Sequence, residues 1–136
     1  MDTKITDNVD LGIQAALLEG LKQYNSKFIM RDIKDYSIGI ENKGILIAGA
    51  VGNSSWDWLF VRLLWVDENH RGTGLGTKVM DSIHGVALSR KCIGIYLNTF
   101  SFQALGFYEK QGFSVFGVIE DHPIGHKRYY MAKRIA

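Results

Sequence analysis

Cysteine and proline are nearly absent from this chain: Cys92 and Pro123 are the only ones in 136 residues. A lone cysteine closes no internal disulfide, so the fold must rest on an apolar core rather than on crosslinks. With one proline and no Pro/Gly/Ser-rich stretch, nothing marks a linker, and residues 1–136 read as a single domain. An excess of either charge is also missing. Sixteen Lys and Arg against fourteen Asp and Glu leave +2, too balanced for a dedicated nucleic-acid binder. Long hydrophobic runs are missing as well, since Ile45 to Gly52 is far short of the ~20 residues of a membrane span. Met1-Asp2-Thr3-Lys4 opens with mixed charge and without a signal peptide's apolar stretch. What remains is 46% apolar and 22% charged residues, a globular composition that excludes disorder. The expectation is a compact cytoplasmic domain with neither a nucleic-acid nor a membrane partner.

Periodicity then organises the chain. Ile13, Leu17, Leu21, Tyr24 and Phe28 recur at helical spacing behind Asp10, a candidate cap. Tyr36 to Ile40 alternates as a half-buried strand, Asn42-Lys43-Gly44 reads as a turn, and Ile45 to Val51 as the next strand. Gly52 to Ser55 has the composition of a second turn. Trp58 to Val66 is apolar apart from Arg62, the pattern of a strand buried on both faces. Val79, Met80, Ile83, Val86 and Ala87 form another helical stripe, followed by strand-like Cys92 to Leu97. Phe102 to Gln111 reads as a short helix closed by Gly112; Phe113 to Ile119 and Arg128 to Met131 complete the strands. Hairpin turns early and a helix between Trp58–Val66 and Cys92–Leu97 imply a mixed α/β sheet.

The chemistry concentrates between the central strand and the second long helix. A strand, a glycine turn and a helix start present unpaired backbone N–H groups and a positive dipole end. Glycines at 72, 74 and 76 clear side chains from that surface, Thr77 adds a hydroxyl, and Arg71 and Lys78 add positive charge. An anionic diphosphate ligand is the physical expectation. It is not the ligand of a P-loop, because Thr77 rather than Gly precedes Lys78. Nor is it the dinucleotide fingerprint, which needs Gly or Ala where Thr77 or Val79 stands.

Arg71-Gly72-Thr73-Gly74-Leu75-Gly76 resembles the pyrophosphate loop of the GNAT superfamily of acetyl-CoA-dependent N-acetyltransferases. About thirty residues on, Ala104-Leu105-Gly106-Phe107-Tyr108-Glu109-Lys110-Gln111-Gly112-Phe113 is similar to that family's second signature, Ala-x-x-x-Tyr-x-x-x-Gly-Phe. The resemblance spans roughly Trp58 to Phe116 and extends to a small bacterial subgroup. It implies a mostly antiparallel mixed sheet with flanking helices and a central parallel pair of strands that splay apart. Acetyl-CoA would be the co-substrate: Leu64 and Val66 would bond the pantetheine arm, and Arg71, Gly72, Thr73, Gly74, Leu75, Gly76 and Thr77 would hold the pyrophosphate. Tyr108 would protonate the departing thiolate, and the acceptor would be a primary amine of a small molecule or peptide. Many family members carry Asn where Ser101 stands, and a serine there can still cap the following helix. The family commonly dimerises, so the resemblance implies a homodimer.

Other readings stand beside these. Tyr108 is also readable as a core aromatic beside Ala104, and Cys92 as a small buried hydrophobe. No metal site is expected, because Pro123 and Gly125 keep His122 and His126 from aligning on a helix and no cysteine cluster joins them. Glu120 and Asp121 are the candidate bases for the amine, with the alternative of solvated loop charges. Tyr24, Trp56, Trp58 and His122 are candidate acceptor contacts. A noncatalytic acetyl-CoA sensor on the same fold is the rival reading.

Overall fold

The computed structural model describes residues 1–136, which form two compact units, Met1–Asp32 and Ile33–Ala136. The first holds helix α1 (Leu11–Asn25). Asp10 caps it as expected, accepting from the Ile13 amide at 3.0 Å and from Lys4 Nζ at 3.1 Å. The backbone bond, then Lys4, lowers the Asp10 carboxyl below its ordinary range. The helix stops at Asn25 rather than reaching Phe28, whose amide instead bonds the Asn25 carbonyl at 2.9 Å. None of its residues is buried, and Leu17, Leu21 and Tyr24 of the predicted stripe are exposed.

The second unit runs β1 (Lys34–Asn42), β2 (Ile45–Ser55), β3 (Trp58–Val66), a 3-10 turn at Glu68–His70, α2 (Leu75–Ser89), β4 (Gly94–Phe100), α3 (Leu105–Lys110), β5 (Ser114–Glu120) and β6 (Lys127–Arg134). One six-stranded sheet has the order β1-β2-β3-β4-β6-β5. Every pairing is antiparallel except β3 with β4. This is the mixed, mostly antiparallel architecture that the resemblance implies. Val79, Met80, Ile83 and Ala87 of α2 are buried with Ala48, Ala50, Leu59, Val61, Ile95, Leu97 and Met131 of the sheet. The helix stripe read from sequence is therefore the core stripe. Arg90, at the end of α2, ties that helix to the sheet margin through the carbonyls of Lys34 and Asp35 and the Ser54 hydroxyl.

Three local expectations are corrected. β2 continues through Ser55, and its turn is Trp56-Asp57, both at positive φ (46° and 73°). That two-residue form matches the twist of the flanking strands, whereas turn-like composition upstream suggested an earlier break. β3 is not buried on both faces: Leu59 and Val61 are buried, but Arg62, Leu63 and Trp65 are exposed. Within this unit α2 covers only one face, and a bulge interrupts the β2–β3 register between Val51 and Gly52. Finally, α3 begins at Leu105, not Phe102. Gly112 does follow its end, its amide bonding Glu109 and the Phe113 amide bonding Tyr108.

Gly52 sits at the bulge where three strands crowd. A Cβ there would lie 1.9 Å from the Phe60 carbonyl oxygen and 2.9 Å from the Tyr36 hydroxyl, which itself donates to that carbonyl at 3.0 Å. Gly52→Ala must move backbone, and it should cost about 2–3 kcal/mol in urea unfolding. Tyr36→Phe loses only the hydrogen bond and should cost about 1 kcal/mol in the same measurement.

Candidate active site

β3 and β4 are paired only through Trp58/Gly94, Leu59/Ile95 and Phe60/Tyr96. Beyond that point β3 stays bonded to β2 as far as Val66, while β4 stays bonded to β6 as far as Phe100. The strands therefore part, and each leaves backbone groups facing the gap. The resulting cleft has a volume of about 790 Å³, within the range of small-molecule sites. Val61 to Val66 line one wall, Leu97 to Phe100 with Phe102 to Ala104 the other, and the loop from His70 to Thr77 closes one end.

That loop is built from the sequence pattern. Gly72 and Gly74 have φ of 77° and 84°, conformations that a side chain would strain. Gly74 is the N-cap of α2 and supplies no side-chain cap. The first bond of the helix is Lys78 N–H to the Gly74 carbonyl, so the amides of Leu75, Gly76 and Thr77 precede any intrahelical bond. They meet the positive end of a 15-residue helix at the cleft. A Cβ on Gly76 would touch the Phe107 ring at 3.3 Å, which keeps α2 close to α3. Thr73 donates its hydroxyl to the His70 carbonyl, bracing the loop. Arg71 folds back, its Nε donating to the Val66 carbonyl at 3.4 Å.

Tyr108 reaches the cleft from α3 with its ring edge-on to Phe107 and Phe113. It is both a core aromatic, only 8% exposed, and a cleft residue. Burial raises its phenol above the ordinary value, so it is protonated at neutral pH. Tyr108 also makes no hydrogen bond with its hydroxyl inside the protein, which leaves that proton for a ligand.

The remaining candidates lie elsewhere. Glu120 is exposed and pairs with Lys127 at 3.7 Å, while Asp121 accepts from the Gly125 amide at 3.2 Å. Both serve the β5–β6 connection, and neither lines the cleft. Trp56 lies in the β2–β3 turn, and Trp58 packs on Tyr96 at the paired end of β3. His122 packs edge-on against Phe100, a cleft residue. Tyr24 belongs to the N-terminal unit, where its ring meets Phe28. Ser101 does not cap α3; it accepts from the Lys127 amide at 3.0 Å and meets His126 Nδ1 at 3.2 Å. Gln103 instead closes that turn, accepting from the Phe100 amide at 2.9 Å. No group of three His, Cys, Asp or Glu is placed to hold a metal ion.

Sequence reasoning passed over Arg62, Asn98, Phe100 and Arg128, all of which line the cleft. Alternation could have placed Asn98 and Phe100 on one face of a strand, but Cys92 to Leu97 ended that strand too early. His70, also in the lining, is held by Asp67, its Nδ1 lying 2.7 Å from the carboxylate.

Comparison with known proteins agrees with this geometry. The family model described as the acetyltransferase (GNAT) family matches residues 13–113. The chain is 38% identical over 94 residues to a blasticidin-S acetyltransferase of Streptomyces morookaense, covering 68% of this chain and 69% of the relative. A crystal structure of an Agrobacterium tumefaciens acetyltransferase is 31% identical, covers 99% of this chain and 100% of its own, and superposes with a TM-score of 0.91. An aminoglycoside 6′-N-acetyltransferase solved with coenzyme A shares the fold at 18% identity and a TM-score of 0.68, over 75% of this chain and 73% of that one. This chain belongs to the GNAT acetyltransferase family.

Raised tyrosine pKa values fix the sign of the alkaline behaviour. Burial raises both Tyr36 and Tyr108 above 10, so the folded state holds these protons more tightly than the unfolded chain. Their contribution to stability is complete below pH 10 and is lost as pH rises through the folded values. Chemical-denaturation midpoints should fall above pH 10, and they should fall less steeply in Tyr108→Phe.

Proposed function

We propose that this protein transfers an acetyl group from acetyl-CoA to a primary amine of a small molecule or peptide. The observation that carries the reading is the convergence on one cleft of three unsatisfied groups: the free amides opening α2, the unpaired edge of β3 and the unbonded Tyr108 hydroxyl. Their chemistry fits a diphosphate, an amide-bearing arm and a departing thiolate. The aminoglycoside enzyme solved with coenzyme A supports the donor, since it shares the fold that creates the cleft. The blasticidin-S relative supports a small-molecule acceptor.

Acetyl-CoA supplies an activated thioester; the protein supplies position and a proton. The amides of Leu75, Gly76 and Thr77 with Gly72–Gly74 anchor the diphosphate. The edge of β3 at Leu64 and Val66 aligns the arm as an added strand would. The neutral amine attacks the acetyl carbon, the carbon–sulfur bond breaks, and the thiolate takes the Tyr108 proton. The nitrogen's surplus proton and the one that restores Tyr108 exchange with solvent. Because no Asp or Glu lines the cleft, water accepts the amine's proton.

Acetyl-CoA and free CoA at a hundred times their dissociation constants should each stabilise the protein by about 2.7 kcal/mol in thermal unfolding. ATP and NAD should not. Tyr108→Phe should keep that stabilisation and lower turnover by roughly ten- to a hundredfold in a thiol-release assay. Equal turnover would remove Tyr108 from the reaction.

Self-association is part of the same reading. The apolar residues Leu17 and Leu21 are exposed on α1, a stripe that a second copy would bury. Light scattering after gel filtration should give a dimer mass, and Leu17→Asp with Leu21→Asp should give a monomer mass.

A further inference from the structure

The charge of the cleft identifies a feature of the acceptor. Its ionisable lining residues are Arg62, His70, Arg71, Tyr108 and Arg128, with no carboxylate among them. Arg71 and His70 belong to the loop end, where the diphosphate charge would answer them. Arg62 and Arg128 stand apart from that loop. Arg62 lies in β3 where the register slips, just past the last residue paired with β4. Arg128 is in β6, opposite Phe100 of β4.

Arg128 is held in place without being neutralised. Its Nε donates to Asn98 Oδ1 at 3.0 Å. Its guanidinium carbon lies 5.2 Å from the Phe100 ring centroid and 5.3 Å from that of Tyr130. Those three contacts fix the plane of the fork while using one of its five N–H donors. The ion pairs Lys4–Asp10, His70–Asp67 and Lys127–Glu120 involve neither Arg62 nor Arg128. A half-buried, pre-oriented guanidinium with free terminal N–H groups matches the bidentate geometry of a carboxylate.

We propose that the acceptor is an amine that also carries a carboxylate, bound through Arg128 with Arg62 adding charge at the splay. The proposal rests on the acetyl-transfer reading above and adds the substrate class to it. A polycation is the acceptor this cleft is least suited to, because two unpaired arginines would repel it. Phe100 and Phe102 give the remainder of the acceptor an apolar wall.

The test pairs amines that differ only in the carboxylate. Amino acids and their decarboxylated counterparts, phenylalanine with phenethylamine and lysine with cadaverine among them, are assayed for acetyl-CoA-dependent thiol release. The carboxylated member of at least one pair should have a kcat/KM about tenfold or more above its counterpart. Arg128→Met should abolish that difference while leaving the KM for acetyl-CoA and the rate with the plain amine unchanged, and Arg128→Lys should restore part of it. Plain amines matching or exceeding their carboxylated partners throughout would overturn the proposal and leave acetyl transfer standing. An Arg128→Met variant that slows both members of a pair alike would overturn it too. If no amine is turned over although acetyl-CoA raises the unfolding temperature, acetyl transfer itself fails, and this proposal with it. The wild-type comparison is decisive even where a variant does not fold.

Discussion

Everything chemical in this protein follows from the failure of β3 and β4 to remain paired. Three residue pairs join them, ending at Phe60 and Tyr96, whose rings stack at 4.8 Å. After that the two strands answer to different neighbours. β3 follows β2 through a bulge that changes its direction, and β4 follows β6. Local twist increases at a bulge, so a parallel pair begun in register is drawn apart within a few residues. Backbone groups that would otherwise satisfy each other are left facing an opening. In a sheet interior such groups are costly unless water or a ligand meets them, and here the opening is wide enough for both.

The loop and α2 complete what the splay begins. The helix is anchored by four buried residues, Val79, Met80, Ile83 and Ala87, on the same sheet whose strands diverge. Its free amides therefore point into the cleft for the same reason that its apolar face meets the core. α3 is short and has no side-chain cap, yet Tyr108 is fixed by packing against Phe107 and Phe113. Burial that stabilises the ring also holds the phenol protonated. Tyr108 is thus a core aromatic and a cleft residue at once.

Some of this was legible in the chain. Val79, Met80, Ile83 and Ala87 show their face through the 3.6-residue period, and the loop shows its turn through Gly72 and Gly74, because backbone conformation there is a local requirement. Tyr108 was singled out because Ala104 to Phe113 resembles the second signature of the GNAT family. The failures have equally local causes. Asn53-Ser54-Ser55 carries turn-like residues inside a strand because β2 pairs there, Asn53 and Ser54 with both β1 and β3 and Ser55 with β3, and pairing overrides propensity. Gln103, not Ser101, closes the turn before α3 because Ser101 is taken by the Lys127 amide, a partner 26 residues away.

The amino-acid sequence alone determined the class of most elements and the glycine turn that opens α2. These depend on hydrogen bonds and side-chain periods that close within a few residues. Only the tertiary structure decided which charged side chains line the cleft away from the glycine loop. Glu120 and Asp121 looked like candidate bases because they are acidic and follow a strand, but the β5–β6 connection turns them to Lys127 and Gly125. Arg128 looked like one of several C-terminal basic residues until antiparallel register set it beside Asn98 and Phe100, about thirty residues earlier. Charge in a cleft is a sum over strands that meet only after folding, and no local pattern in the chain encodes which of them will meet.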